Sequence, residues 1–325
     1  MTWLVTGGAG YIGSHVVRAL VEAGIPAVVL DDLSSGFEQF VPEGVPLVKQ
    51  TLLDQVAVEQ ALREHDVTGV IHIAGFKYAG VSVQRPLHTY EQNVTATISL
   101  LRAMQNTGVD KVVFSSSAAT YGTPDTDLVT EATPTGPESP YGETKLIGEW
   151  LLADAEKAYG LHHTSLRYFN VVGSGSDELY DTSPHNLFPL VFDMLFKGKT
   201  PRINGDDYPT PDGTCVRDYI HVSDLAVSHV EAARHLESGD RLEPVYNLGS
   251  GSGSSVRQIM DAIRDVTGID FEPEIHDRRP GDPAQIVASG ELAARDIGWE
   301  MRHDLREMVR SAWAARQAAG SAYPG

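Results

Sequence analysis

Thr2-Trp3-Leu4-Val5-Thr6-Gly7-Gly8-Ala9-Gly10-Tyr11-Ile12-Gly13 is the stretch on which the fold turns. Its first five residues form a short β-rich run, and an amphipathic segment from Ser14 to Ala23 follows the glycines and stops at Gly24. That is the order of strand, tight turn and helix. Gly7, Gly10 and Gly13 keep the spacing G-x-x-G-x-x-G, with Tyr11 and Ile12 between the last two. Glycines so placed let backbone approach a pyrophosphate closely, which then rests at the positive end of the helix. The next run, Ala27-Val28-Val29-Leu30, reads as a second buried strand and ends in Asp31-Asp32-Leu33. A carboxylate there accepts hydrogen bonds from adenosine ribose hydroxyls and repels a 2′-phosphate, so the expected cofactor is NAD rather than NADP.

Strands and helices continue to alternate. Pro46 to Lys49 reads as a third strand, Gln55 to His65 as a helix, and Gly69 to Ala74 as a fourth strand leading into Gly75-Phe76-Lys77. A helix from about Pro86 to Gln105 precedes a fifth strand, Lys111 to Ser115. The expected fold is therefore α/β, a Rossmann-like doubly wound parallel sheet with helices on both faces. Ligands in such sheets bind beyond the carboxyl ends of the strands. Topology alone gathers there Gly7 to Gly13, Asp31, Leu53-Asp54, Ala74 to Lys77 and Ser115-Ser116-Ser117. Ala118 to Pro140 reads as a loop over that edge.

Ser139-Pro140-Tyr141-Gly142-Glu143-Thr144-Lys145 opens a further helix and sets a phenol and an ammonium four residues apart on one face. A lysine charge roughly 4 Å from a phenol, at an effective dielectric near 20, contributes about 4 kcal/mol, or roughly three pK units. The spacing thus predicts a phenolate near neutral pH. Leu146, Ile147, Trp150 and Leu151 are expected to pack this helix on the protein.

With 325 residues, 42% apolar and 21% charged, the chain can bury a full core. A net charge of −19 argues against nucleic acid or an anionic membrane as partner, since both require a basic footprint. The single cysteine, Cys215, rules out an internal disulfide, and the absence of a long apolar run or leader fits a cytoplasmic protein. The twelve histidines show no metal-binding spacing, so no catalytic metal is expected.

Together, the glycine turn, the acidic residue after the second strand, the serines ending the fifth strand and Tyr-x-x-x-Lys resemble the extended short-chain dehydrogenase/reductase family. Within it, several runs look like the UDP-glucose 4-epimerases: GGAGYIGS from Gly7, IAGFKYAGVSV from Ile73, FSSSAATYG from Phe114, LRYFN from Leu166 and, most specific, YPTPDGTCVRDYIHVSD from Tyr208. The resemblance implies that Tyr141 is the catalytic base, Lys145 its pKa-lowering partner and ribose ligand, and Ser117, with Ser116 close by, the hydroxyl that meets the sugar. It implies cofactor contacts at Asp32, Leu33, Leu53, Asp54, Ala74, Gly75, Lys77, Asn93, Ser115, Tyr168 and Phe169. A UDP-sugar substrate would meet Lys77, Asn170, Asn186, Leu187 and Tyr219, with Arg217 and Arg279 on the diphosphate and Asp282 on the uridine ribose. A homodimer through the helices near Pro86 to Gln105 and Gly142 to Lys157 is also implied.

Past Asn170 the composition shifts to Gly, Ser, Asp and Pro. The expected organisation is an NAD-binding domain over 1–170, rejoined by segments near 215–250, and a discontinuous UDP-sugar-binding lobe over 171–325. The run Gly249 to Gly253 reads as a turn before a helix capped by Ser254 or Ser255, not as a phosphate loop. Several positions depart from the family pattern: Val81, Val171, Ala119-Thr120 and the short segment 173–184. With the pocket position that the resemblance aligns at Ile286, they leave open a UDP-N-acetylglucosamine or UDP-pentose substrate. A nucleotide-sugar 4,6-dehydratase would need an Asp-Glu pair where Ala118-Ala119 stands, and a non-catalytic NAD-sensing module would be expected to lack Tyr141, Lys145 or Ser117.

Overall fold

A computed structural model describes residues 1–279 and 282–320. Its strands are β1 (Trp3–Thr6), β2 (Ala27–Leu30), β3 (Leu47–Val48), β4 (Gly69–His72), β5 (Lys111–Ser115), β6 (Leu128–Val129), β7 (His162–Tyr168), β8 (Asn170–Val172), β9 (Arg202–Asn204), β10 (Val216–Arg217), β11 (Tyr219–His221), β12 (Val245–Leu248), β13 (Ser254–Ser255), β14 (Glu274–His276) and β15 (Gln285–Ala288). Seven of them form one parallel sheet in the order β12-β7-β5-β4-β1-β2-β3. The chain runs outward from β1 through β2 and β3, then resumes at β4 on the other side. That reversal opens a crevice at the carboxyl ends of β1 and β4.

Period-two alternation divides the core. Trp3, Val5, Val29, Ile71 and Val113 face one layer, whereas Leu4, Val28, Leu30, Val70 and Val112 face the other. Helix α1 (Tyr11–Glu22) lies on the first face, and α2 (Gln55–Glu64) covers the second. Next come α3 (Ala79–Gln84) and α4 (Pro86–Tyr90), then a π-helical turn over Glu91–Thr95 that runs into α5 (Ala96–Thr107) on the second face. The expected helix from Pro86 thus carries one wide turn within it. Helix α6 (Pro140–Tyr159) follows, capped by the Ser139 hydroxyl, which accepts from Gly142 N at 3.2 Å.

The remaining helices are α7 (Leu187–Phe196), α8 (Val222–Ser238), α9 (Val256–Thr267), α10 (Glu291–Ile297) and α11 (Leu305–Ala319). Helix α8 packs beside α1, and β12 joins the edge of the large sheet. Helices α7, α9 and α11 share a separate core of Phe188, Phe192, Ile259, Ile263, Met308 and Val309. Beside it lies a four-stranded sheet, β13-β10-β15-β6. Ser255 caps α9 in a capping box with Gln258, as its sequence suggested. Two expectations need correction. The segment 118–140 is not all loop, because β6 pairs with β15. Trp150 is 58% exposed rather than packed on the protein, although Leu146 is buried. Among the described residues no helix is long and apolar enough to cross a membrane.

Four buried histidines serve the fold as neutral rings. His72 bridges the Thr6 and Thr97 hydroxyls at 2.8 and 2.9 Å, and His229 meets Ser115 Oγ at 2.7 Å. His15 bonds Tyr11 O and Gly175 N, and His221 bonds Ser223 N and Ser311 Oγ. Burial pushes His72 and His221 down to about 3, and His15 and His229 to about 4. Their folded pKa values lie below the ordinary 6.5, so the unfolded chain binds more protons as pH falls from there, and stability drops. Asp218, raised to about 6 by burial, works in the opposite direction and offsets one of the four. Each excess proton that the unfolded chain binds costs roughly 1.4 kcal/mol per pH unit, so stability and Tm should both fall between about pH 6 and 4, by a few kcal/mol in all. Thermal melts across that range test this; a flat profile would contradict it.

Candidate active site

A cleft of about 820 Å³ opens at the sheet's reversal point and extends toward the smaller lobe. Its floor is the glycine turn. Gly7 sits at φ +71° and donates to Leu30 O at 2.9 Å, and Gly10 donates back to Gly7 O at 3.1 Å. A Cβ on Gly13 would stand 2.0 Å from Gly7 O, so only glycine lets α1 start this close to β1. Gly10, the N-cap of α1, brings no side chain to its first amides. The Asp31 carboxylate is locked by Ala9 N at 3.0 Å and Leu33 N at 2.9 Å, and burial holds its pKa above the usual carboxylate range. This cradle fits a dinucleotide: open amides at a helix N-terminus for a pyrophosphate, and an oriented acidic group for ribose hydroxyls.

The residues expected around that cradle divide. Gly7, Gly10, Tyr11, Ile12, Gly13, Asp31, Asp32, Ala74, Gly75 and Lys77 line the cleft. Leu33 contributes only its amide to Asp31. Leu53 and Asp54 do not line it: Leu53 packs on the core, and the Asp54 carboxylate caps α2 by accepting from Ala57 N. Gln50, Thr51 and Leu52, just before them, form that wall instead. Asn93 is also displaced from its expected role. Turned inward from the π-helical turn, its amide accepts from Phe76 N at 2.6 Å and donates to Phe76 O and to Thr144 Oγ1 at 2.8 Å. It fastens the Gly75–Lys77 turn to α6.

Tyr141 and Lys145 both face the cleft from α6. Gly148 allows that helix to lie close on β5, since a Cβ there would meet the Phe114 ring at 2.7 Å. The Ser117 hydroxyl lies beside the Tyr141 phenol, near enough to oppose the rise of its pKa, and accepts from Ala119 N. Lys145, 6% exposed, donates to Ser115 O at 2.8 Å, with its Nζ 5.9 Å from the Tyr141 ring centroid. The lowering of the Tyr141 phenol expected from its spacing to Lys145 is not seen in this geometry. Burial raises the Tyr141 pKa, and only Ser117 opposes it. Burial likewise lowers Lys145 to about 8, against the raising field of Glu149. Ser115 and Ser116 depart further from expectation. Strand alternation sends the Ser115 hydroxyl to His229 and the Ser116 hydroxyl to Glu149 at 2.5 Å, both fully buried and off the cleft wall.

On the far wall the structure brings together Tyr168, Phe169, Asn170, Asn186, Leu187, Arg217, Tyr219, Arg279 and Asp282. Arg217 pairs with Asp282 at 2.5 Å and donates to Val216 O at 2.8 Å, and Asn186 donates to Asp181 at 2.7 Å. Arg278 turns away onto Asp207 and the Tyr208 ring. Tyr78, Asp181, His185, Arg202 and Cys215 also line the wall, and sequence reasoning had passed over them. Ile286 is not on it; it pairs in β15 with Arg217, so its size does not set the sugar pocket. Among the described residues no group of three or more His, Cys, Asp or Glu is placed to hold a metal ion.

Comparison with known proteins agrees with this geometry. The chain is 45% identical over 315 residues to a UDP-glucose 4-epimerase of Azospirillum brasilense, covering 95% of this chain and 90% of that one. It is 40% identical to the crystal structure of a UDP-glucose 4-epimerase from Brucella ovis in complex with NAD, with TM-score 0.92 over 96% of this chain and 97% of the other. A third, from Stenotrophomonas maltophila with bound NAD and formylated UDP-arabinopyranose, is 39% identical with TM-score 0.94 over 99% of each chain. Residues 3–249 match the model of the NAD dependent epimerase/dehydratase family, and the chain belongs to that family.

Proposed function

We propose that this protein is an NAD-dependent isomerase that inverts C4 of a UDP-hexose, interconverting UDP-glucose and UDP-galactose through a 4-keto sugar. The observation that carries the reading is that Tyr141 and Lys145 face, from one helix, a cleft that has a dinucleotide cradle at one end and Arg217 and Arg279 at the other, with buried Ser117 behind the Tyr141 phenol. NAD, when bound, accepts the C4 hydride and returns it to the opposite face of the sugar.

The Gly7–Gly13 turn and Asp31 hold the dinucleotide, and Asp31 excludes a 2′-phosphate. Ser117 orients the sugar 4-hydroxyl. Tyr141, as phenolate, takes its proton and later gives it back, while Lys145 favours that phenolate and binds the nicotinamide ribose. Arg217 and Arg279 grip the diphosphate in fork geometry, Asp282 takes the uridine ribose, and Lys77, Asn170 and Asn186 meet sugar hydroxyls. Phe169, Leu187 and Tyr219 supply apolar walls.

Purified protein incubated with a panel of UDP-sugars, with products separated by chromatography, tests the substrate. UDP-glucose and UDP-galactose should interconvert without added NAD. Turnover confined to N-acetylhexosamines or pentoses would move the assignment within the family, and no turnover of any sugar would overturn it. We also infer a homodimer. Val83, Leu87 and Trp150, which are 62%, 83% and 58% exposed on α3, α4 and α6, need a cover that a second copy would supply. A solution mass matching a single 35.2 kDa chain would contradict this.

A further inference from the structure

The end of β5 and the successive turns of α6 are joined residue by residue. Ser117 meets Tyr141, Ser115 O meets Lys145, and the Ser116 hydroxyl meets Glu149. Glu149 stands one turn beyond Lys145 on the same face, 6% exposed. Its carboxylate is fully engaged: Arg167 donates Nε to Oε1 at 2.9 Å and a second N–H to Oε2 at 2.5 Å. The Arg167 guanidinium lies 4.7 Å over the Tyr121 ring, and Tyr121 donates to Asn247 at 2.8 Å. No residue of the cleft touches this carboxylate, and the reaction proposed above makes no use of it.

Lys145 lacks a carboxylate partner of its own. Its Nζ has the Ser115 carbonyl and the Phe114 ring at 4.9 Å. The titratable groups packed around it are Tyr141 and Glu149 on α6, His72 on β4 and Tyr168 on β7. His72 is a neutral ring. Among the described residues, Glu149 is thus the carboxylate whose charge acts on the buried ammonium. We propose that Glu149, clamped by Ser116 and Arg167 one turn along α6, is the positioning residue that sets a fixed negative charge behind the buried Lys145 ammonium beside Tyr141. The proposal rests on the reading of Lys145 as the cation of the Tyr141 pair, yet its test does not depend on turnover. Burial alone would take the ammonium below its present value of about 8, and the Glu149 field is the opposing influence.

The experiment is a pH titration of NAD-loaded protein labelled with 13C at lysine Cε, with the Lys145 signal assigned by its loss in Lys145→Arg. In Glu149→Gln the Lys145 midpoint should fall by about one unit or more, the size expected for loss of a carboxylate one turn away at an effective dielectric near 20. The alkaline limb of kcat should shift down with it while KM for the UDP-sugar holds. Glu149→Gln leaves Arg167 buried and unpaired and can unfold, so Glu149→Gln/Arg167→Gln is measured alongside it, with a smaller downward shift expected because the opposing, more distant Arg167 charge is removed with the carboxylate. A midpoint unchanged from wild type in the folded variant overturns the proposal and leaves Glu149 a structural ion pair. A shifted midpoint in a protein that turns over no UDP-sugar would uphold it while overturning the functional reading.

Discussion

Tyr141→Phe should lower turnover by about two to four orders of magnitude, the range that a positioned acid–base group supplies, while the fold and bound NAD are retained. The ring fills the same space, and what is lost is one hydroxyl beside Ser117. Every proton that leaves or rejoins the sugar passes through that oxygen, so the forward and reverse reactions should fall together. Because the unliganded phenol is raised by burial, the wild-type rate should climb with pH through the neutral range. The residual rate of Tyr141→Phe should lose that dependence. Initial rates of both proteins across pH, with NAD content measured in parallel, check this; near-wild-type turnover in the variant would remove Tyr141 from the chemistry.

Gly13→Ala should be as damaging by a different route. The added methyl would lie 2.0 Å from Gly7 O and 2.8 Å from the Gly8 Cα, backbone atoms that cannot swing aside. Relief requires α1 to move away from β1, which opens the turn that approaches the pyrophosphate. The protein should purify without NAD and show activity at or below detection. Gly24→Ala, at the other end of α1 with no atom within 4 Å of the new Cβ, carries only the strain of its φ of +71° and should keep its cofactor. The ratio of absorbance at 260 to 280 nm in the purified proteins separates the two. A full NAD complement in Gly13→Ala would contradict the role given to the turn.

How much of this was legible in the sequence depends on distance along the chain. The strand-turn-helix at the N-terminus, the alternation through β5 and the Tyr141–Lys145 spacing are local patterns, and each sits where its pattern put it. The pairings β6 with β15 and β10 with β13 join segments far apart in sequence, and no local periodicity announces them. Some misses could have been avoided. Asp54 stands just before a helix, where a carboxylate more often caps than binds. Three consecutive serines at a strand end cannot all face one ligand, because successive side chains alternate, so Ser116 was already unsuited to the sugar. The Tyr141 pKa was misjudged for another reason. The spacing gives the lysine but not the burial, and burial outweighs a charge that is turned toward Ser115 O.

The central claim is that C4 is oxidised and reduced by one and the same hydride within one closed cleft. UDP-galactose carrying deuterium at C4, incubated with the purified protein and no added cofactor, tests it most directly by proton NMR of the product. The account predicts UDP-glucose with inverted C4 and the deuterium still on that carbon. Deuterium washed out to solvent, or a C4 left uninverted, would contradict it.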